Sequence, residues 1–482
     1  MGVCTGVEYL ERLRDGREVW IQGERVKDVT AHAGLKRGAQ TMARLLDRQH
    51  ETDLTDILTY AEAGSDERYA MSFLPPRTKD DVLARGRAFY DWAKWSNGML
   101  GRTPDYLNAS FTALAGAADF FAQCRDDFAG NVRAYYEKIR NKDLVLTHTL
   151  VNPQMNRRIT ATGLASEEVA LRVVDETDAG LIVKGARLLA TLGPLSDEIA
   201  VFPSTLLKAA PETKPYALAF AVANDTPGMK YICRDSYDDG KSLFDAPLSG
   251  RFEEMDCVVI FNDVLVPWER VFLYDAPELC NRAYADTSAV VHMMHQVVCK
   301  NLVKAEFIVG LLCAMTRASE RDHDGHVQGQ IAEAMWIAET MRALLFSAEQ
   351  QAEKDSWGFY VPQRRPLDTA RNLFPKMYPR LVEIVQLLGS SSLMATPCEA
   401  DLNNALAGDV EQYFQLANLE SRDRIALFRL AHDVAVSSFG GRQQLYERFF
   451  FGPQNVMASI FYKLYDKDSL IGRVNELLTR SA

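Results

Sequence analysis

EEVALRVVDETDAGLIVKGARLLAT, Glu167 to Thr191, is the stretch whose reading decides the fold. Two runs rich in β-branched and apolar residues flank Thr177-Asp178-Ala179-Gly180, a turn-type cluster. They read as two strands joined by a tight turn. Strand-like text continues in PYALAFAVAND (215–225) and KYICRDSYDD (230–239). It ends in the apolar run Met255-Asp256-Cys257-Val258-Val259-Ile260-Phe261, which leads into Asn262-Asp263-Val264-Leu265-Val266-Pro267. A compact β domain, a barrel, is expected over residues 144–275.

On either side the apolar period lengthens. GVEYLERLRD, KRGAQTMARLLDRQHE and the run from Asp80 to Asn97 carry apolar residues at three- and four-residue steps, so residues 1–143 predict an N-terminal helical domain. Beyond the β domain, Val298, Leu302, Glu306 and Val309 share one helix face. Ile331, Ala334, Met335, Ala338, Met341 and Leu345 share another. A third long segment is expected to start near Leu381 and a fourth to span about 417–438. Residues 276–482 therefore predict a C-terminal four-helix bundle. Apolar faces this extensive also suit a homotetramer or homodimer. The order is α, then β, then α: an α+β chain that matches the acyl-CoA dehydrogenase-like flavoprotein fold as an analogy of architecture.

Composition narrows the function classes. The chain has 482 residues and a net charge of −11, which argues against a nucleic-acid or anionic-membrane surface. No stretch approaches the roughly 20 apolar residues of a membrane span. No signal peptide is expected at MGVCTGVEYLERLRDG. The eight cysteines, at 4, 124, 233, 257, 280, 299, 313 and 398, form no CxxC pair. That spacing suits neither zinc nor a disulfide framework, so no metal is expected and a cytoplasmic chain with reduced thiols is.

One constellation stands out chemically. Gly101-Arg102-Thr103-Pro104-Asp105-Tyr106 is followed about forty residues later by Thr147-His148. Arginine, tyrosine and histidine can hold a phenol oxygen and bias it toward phenolate. Tyr106 lies four residues after Arg102, one turn if the segment is helical, and could share its face. A structural ion pair for Arg102 and a core tyrosine for Tyr106 are the competing readings.

Eight segments in order resemble the 4-hydroxyphenylacetate 3-monooxygenase family, which also holds chlorophenol and nitrophenol monooxygenases. They are GRTPDYLN (101–108), LTHTLVNPQMNR (146–157), VKGARLLATLGPLSDE (183–198), GMKYICRDS (228–236), FNDVLVPWERVF (261–272), HQVVCKNLVKAEF (295–307), LLGSSSLMATP (387–397) and FGGRQQLYERFF (439–450). The resemblance spans about residues 5–470. It implies an FADH2-dependent, two-component monooxygenase that ortho-hydroxylates a phenol through a flavin C4a-hydroperoxide, with dioxygen as co-substrate. A separate NAD(P)H:flavin reductase would supply the reduced flavin, and the absence of any GxGxxG agrees with that division. Halide or nitrite release from a substituted phenol is the alternative outcome. An acyl-CoA dehydrogenase-like enzyme and 4-hydroxybutyryl-CoA dehydratase are lesser ones. The dehydratase's iron–sulfur cluster needs thiolates where this chain has Met99 and Thr103.

The same resemblance assigns roles. Arg102, Tyr106 and His148 become the phenol grip, with His148 able to take the phenol proton or to orient the ring oxygen. His292 and His295 are further candidates for the base. Ser204 and Thr205 would anchor a substrate carboxylate, and residues 206–216 would form a closing lid. For the flavin it implies Thr147, His148, Thr149, Gln154 and Arg157, with Thr191 near N5. A turn at Gly440-Gly441-Arg442 would meet the phosphates, and Ser390 and Ser391 would be weaker candidates for the adenosine half.

Overall fold

Gln22-Gly23 turns the chain with two positive φ angles, 53° and 82°. That pairing suits a two-residue hairpin. It joins two strands, Val19–Ile21 and Glu24–Val26, that belong to the central sheet. The computed structural model of the chain describes residues 2–153, 169–203, 207 and 209–480. The N-terminal part is therefore helical except for two short hairpins: Thr59–Ala61 with Arg68–Ala70, and this one, which lies against the β region, where Val19 pairs in parallel with Tyr231. VWIQGERV carries the hairpin signal, but three-residue strands are too short to show a period of two.

The β region is two open sheets among the described residues, where a barrel was expected. One has six strands in the order Glu24–Val26, Val19–Ile21, Met229–Cys233, Asp256–Pro267, Gly180–Thr191 and Arg172–Thr177. The other has four: Val271–Tyr274, Leu218–Ala223, Glu198–Val201 and Leu146–Thr149. Among the described residues the strand carrying His148 pairs regularly only with Glu198–Val201, and just past its end a single bridge, Val151 to Leu188, meets the larger sheet. The expected turn at 177–180 holds, with Thr177 paired to Gly180. At φ +150° and with the Val266 carbonyl 2.1 Å from where a Cβ would lie, Gly180 has no room for a side chain.

Four long helices follow: Ala289–Ala318, Gly325–Gln350, Arg364–Gly389 and Ser421–Ala435. The third begins 17 residues before the expected start at Leu381. Pro375 and Pro379 lie inside it. Each removes a backbone donor, so the sequence reads as broken where packing keeps it helical. Ala289–Ala318 is the central rod. It packs on both neighbouring helices of the bundle, on Lys79–Trp95 and on Pro104–Gly116. One continuous buried core runs through both helical regions and the sheets.

Pro104–Gly116 positions the site. Proline at the first helical position is preset for the α conformation and lacks only a donor the helix would leave free. Residues 104–114 are all buried. The segment just before it, Gly101–Thr103, is thereby wedged between the end of the larger sheet and the C-terminal helices.

Candidate active site

Arg102 sits at the centre. Its Nη2 donates to His148 Nε2 at 3.0 Å and its Nη1 to the Tyr446 hydroxyl at 2.7 Å. Its guanidinium lies over the rings of Phe450 and Tyr106, 4.4 and 4.8 Å from their centroids. The Tyr106 and His148 rings meet edge to face at 5.5 Å. The three residues expected to come together do so, from the loop before Pro104, the following helix and the strand Leu146–Thr149. The guanidinium is buried, and no carboxylate among the described residues pairs with it.

Protonation follows from this geometry. Arg102 can only donate, so His148 Nε2 accepts and the imidazole hydrogen sits on Nδ1. Burial, then the neighbouring Arg102 charge, push His148 well below the usual histidine range. Of the two roles expected of His148, taking the phenol proton and orienting the phenol oxygen, the geometry favours the second: its lone pair is engaged by Arg102, and it presents a donor. That Nδ1 and Arg102 Nε are both buried with nothing to accept them among the described residues. An unpaired cation with one unbonded donor of its own and a second on its neighbour fits an oxyanion. Burial pushes the Tyr106 hydroxyl up to about 12, so it too meets a ligand as a donor.

The loop is held from behind by a group the sequence reading missed. Glu254 Oε1 accepts the backbone N–H of both Gly101 and Arg102, each at 2.6 Å, and its Oε2 accepts from Arg442 Nη1 at 2.8 Å. Arg442 also grips Asp256, with Nε at 3.0 Å and Nη2 at 2.8 Å. Thr191 donates to Asp256 Oδ1 at 2.6 Å, and the Thr191 carbonyl accepts from Thr147 Oγ1 at 2.5 Å. Thr149 donates to the Leu188 carbonyl at 3.3 Å. The signal was FEEMD (252–256), three acidic residues entering an apolar strand, a pattern that needs buried cations. Tyr446 is the second omission. It lies one helical turn after Arg442, and its hydroxyl donates to the Gly101 carbonyl at 2.8 Å.

Several expectations change. Gly440-Gly441-Arg442 is the first turn of the helix Ser438–Phe449, capped by the Ser437 hydroxyl on Gly440 N, where a loop turn was expected. Arg442 is fully committed to Glu254 and Asp256 and has no charge left to offset a pyrophosphate. A Cβ on Gly440 would sit 2.2 Å from the Val434 carbonyl oxygen, whereas one on Gly441 meets nothing within 4 Å. Gly440→Ala should therefore cost about 1–3 kcal/mol, while Gly441→Ala should be neutral or stabilising by up to about 1 kcal/mol. Paired thermal melts check this.

His292 and His295 lie elsewhere. Arg85 Nη1 donates to His292 Nδ1 at 3.2 Å, and His295 pairs with Glu349 at 2.8 Å, in a buried cluster between Ala289–Ala318 and Lys79–Trp95. Neither contacts Arg102, Tyr106 or His148 among the described residues. The structure thus does not bring these two candidates for the base to the phenol grip; both are taken up by Arg85 and Glu349. Gln296 links this cluster to Thr103 and Asp105, both at 3.2 Å. His295, Cys299 and Glu349 bring ligand-type atoms within 4.8 Å of one another, but the His295–Glu349 hydrogen bond already accounts for two of them. Gln154, Arg157, Ser204 and Thr205 lie outside the described residues. Of the expected lid, Pro211–Tyr216 is a 3-10 helix, and Leu207 is pinned through both backbone groups to the Asn281 side chain, at 2.8 and 2.7 Å. Ser390 and Ser391 mark the end of Arg364–Gly389.

The chain matches two family profiles, the 4-hydroxyphenylacetate 3-hydroxylase N-terminal region over residues 5–273 and its C-terminal region over 280–479. It is 46% identical to the 4-hydroxyphenylacetate 3-monooxygenase oxygenase component of Thermus thermophilus, covering 99% of this chain and 98% of that one. It is 45% identical to the protein of the same name from a Geobacillus species, covering 99% and 97%. A crystal structure of such an oxygenase component complexed with FAD and 4-hydroxyphenylacetate superposes with a TM-score of 0.95, at 46% identity and 98% coverage of both chains.

Proposed function

The chain belongs to the 4-hydroxyphenylacetate 3-hydroxylase family and is a flavin-dependent aromatic monooxygenase of the acyl-CoA dehydrogenase-like fold, and we propose that it ortho-hydroxylates 4-hydroxyphenylacetate. It is the oxygenase half of a two-component system, so its FADH2 comes from a separate reductase. The observation that carries the substrate reading is Arg102: a buried cation with no carboxylate partner among the described residues, whose own Nε and whose neighbour His148 Nδ1 are donors without an acceptor there.

The chemistry divides cleanly between protein and cofactor. Reduced FAD supplies two electrons and activates dioxygen, so that one oxygen atom enters the ring and the other leaves as water. The protein's own task is to bind the phenol as phenolate. A free phenol ionises near pH 10. The Arg102 guanidinium, with donors from Tyr106 and His148 Nδ1, stabilises the anion and lowers that value. The charged oxygen feeds density to its ortho carbon, which becomes the nucleophile. The aromatic wall of Tyr106, Phe450 and Tyr446 keeps water from the ring. Thr147, Thr149 and Thr191 line the flavin side next to this grip. The fit is supported by the orphaned donors and by the accepting capacity left on the Thr191 oxygen.

The reading extends to a homotetramer or homodimer, supported by an unpartnered apolar face on Asp468–Thr479, where Leu470, Ile471, Val474, Leu477 and Leu478 are exposed. Among the described residues no helix is long and apolar enough to cross a membrane. A cytoplasmic location is part of the proposal, supported by eight free cysteines.

The test is a panel of 4-hydroxyphenylacetate, its 4-methoxy ether, 4-nitrophenol and unsubstituted phenol with reduced FAD, dioxygen and a generic flavin reductase. Catechol formation is scored against hydrogen peroxide. Catechol from 4-hydroxyphenylacetate and none from the ether, which cannot ionise, is the expected result. Peroxide alone with every phenol would sink the assignment.

A further inference from the structure

Thr191 ends the strand Gly180–Thr191, and its hydroxyl carries one hydrogen. That hydrogen is given to Asp256 at 2.6 Å, which leaves the oxygen with lone pairs only. Asp256 is held as an acceptor from several sides. Arg442, from the helix Ser438–Phe449, takes both of its oxygens, and Arg234 Nε reaches Oδ2 at 3.0 Å from the end of Met229–Cys233. Behind these stand Glu254, paired with Arg442, and Glu253, paired with Arg234 at 2.7 Å. Burial pushes the Asp256 carboxyl up, but the two guanidiniums hold it well below the usual carboxylate range. It is ionised throughout the neutral range and cannot return a hydrogen to Thr191.

Thr191 is also tied to the phenol grip on two sides. Its carbonyl is bonded to Thr147, next to His148. Arg442 and Glu254 connect its side chain to the amides of Gly101 and Arg102. The Thr191 hydroxyl thus belongs to the same bonded network as the phenol grip.

We propose that Asp256 is a positioning residue that makes Thr191 an acceptor-only contact for the N5 edge of the flavin, so that the site selects reduced over oxidised FAD. The inference rests on the placement of Thr191 beside the flavin given above. Reduced flavin carries a hydrogen on N5 and can donate it to Thr191. Oxidised flavin has only a lone pair there, so two acceptors face each other and a hydrogen bond is left unmade. A hydroxyl free to rotate would serve both states alike. Asp256 removes that freedom without touching the ring. The consequence suits a protein that takes up its flavin reduced and must give it back oxidised.

The experiment titrates reduced FAD anaerobically, and oxidised FAD in air, into the full-length wild type, Asp256→Asn, Thr191→Val and Thr191→Ser. The readout is the ratio of the two dissociation constants. The wild type is expected to bind the reduced form more tightly. Asp256→Asn is expected to shrink that ratio about tenfold, because the new amide can donate to the Thr191 oxygen and free its hydrogen for oxidised N5. Thr191→Val should shrink it similarly and Thr191→Ser should preserve it. Equal weakening of both redox forms by Asp256→Asn would mean a purely structural role and overturns the proposal. Oxidised 5-deaza-FAD, which has a C–H in place of the N5 lone pair, needs no variant. It should bind the wild type more tightly than oxidised FAD, and equal affinity also overturns the proposal. If Thr191→Val leaves both affinities unchanged, Thr191 is not at the ring and the proposal falls. Catechol formation by that variant would then show that the enzyme assignment survives it.

Discussion

Arg102→Ala should weaken phenol binding and lower phenol turnover at least about a hundredfold, while reduced FAD binds within a few-fold of wild type. The size follows from what the guanidinium does. It is the cation around which the grip is built, and hydrogen bonds to charged groups contribute about 1.5–3 kcal/mol each. Losing one such contact and the accompanying charge is enough for two orders of magnitude. The variant also strips the partner from His148 Nε2 and the donor from Tyr446, so melting temperature serves as a control. Arg102→Lys should fall between, because an ammonium keeps the charge but cannot span His148 and Tyr446 together. With 4-nitrophenol as ligand, the absorbance of the bound form reports ionisation directly. It should be phenolate in the wild type and neutral in Arg102→Ala at the same pH. Equal loss of phenol and flavin affinity would remove the proposed role.

The residues of the candidate grip were more legible than the residues that hold them. Arg102 and Tyr106 share a helix entrance, and four-residue spacing is enough to bring them together. His148 is 46 residues from Arg102, and only the family resemblance brought it to the same place; no local spacing could. The supports are harder to read. Glu254 acts on two backbone amides, and a backbone partner leaves no trace in side-chain pattern. Arg442 looked like a free cation because its two carboxylates lie 186 and 188 residues away. His292 and His295 are the opposite case. Histidines at the start of a long buried helix resemble a site, and only the tertiary fold shows Arg85 and Glu349 taking them up. In the fold, period-based reading found the long helices and central strands. It missed the Val19–Val26 hairpin, too short for a period, and misplaced the start of Arg364–Gly389, where two prolines mask a helix that packing sustains.

Glu447→Gln should be the most destabilising single substitution considered, by about 3–5 kcal/mol. Two lysines of the central rod, Lys300 and Lys304, both donate to Glu447 Oε1. Lys304 does so at 2.5 Å and also reaches Gln443 Oε1 at 2.8 Å. All three charged side chains are buried. One carboxylate already serves two ammonium groups. Burial, and then the neighbouring Lys304 against the pull of Glu447, leave Lys300 pushed down to about 7 from an ordinary 10.5. Lys304 is lowered too, again mainly by burial. Because the folded value lies below the unfolded one, the folded state holds fewer protons between about pH 7 and 10.5. The protein therefore gains stability as pH rises through that window and loses it as pH falls toward 7. Removing the one carboxylate that, among the described residues, is bonded to the two lysines should deepen this dependence, since both must then shed their protons to stay buried. Thermal melts of the wild type and Glu447→Gln should diverge most at pH 6 and least at pH 9. Adding Lys300→Met and Lys304→Met should recover much of the loss, because apolar side chains of similar length fill the space without charge. A pH-independent gap between the curves would show that packing, rather than unpaired charge, sets the cost.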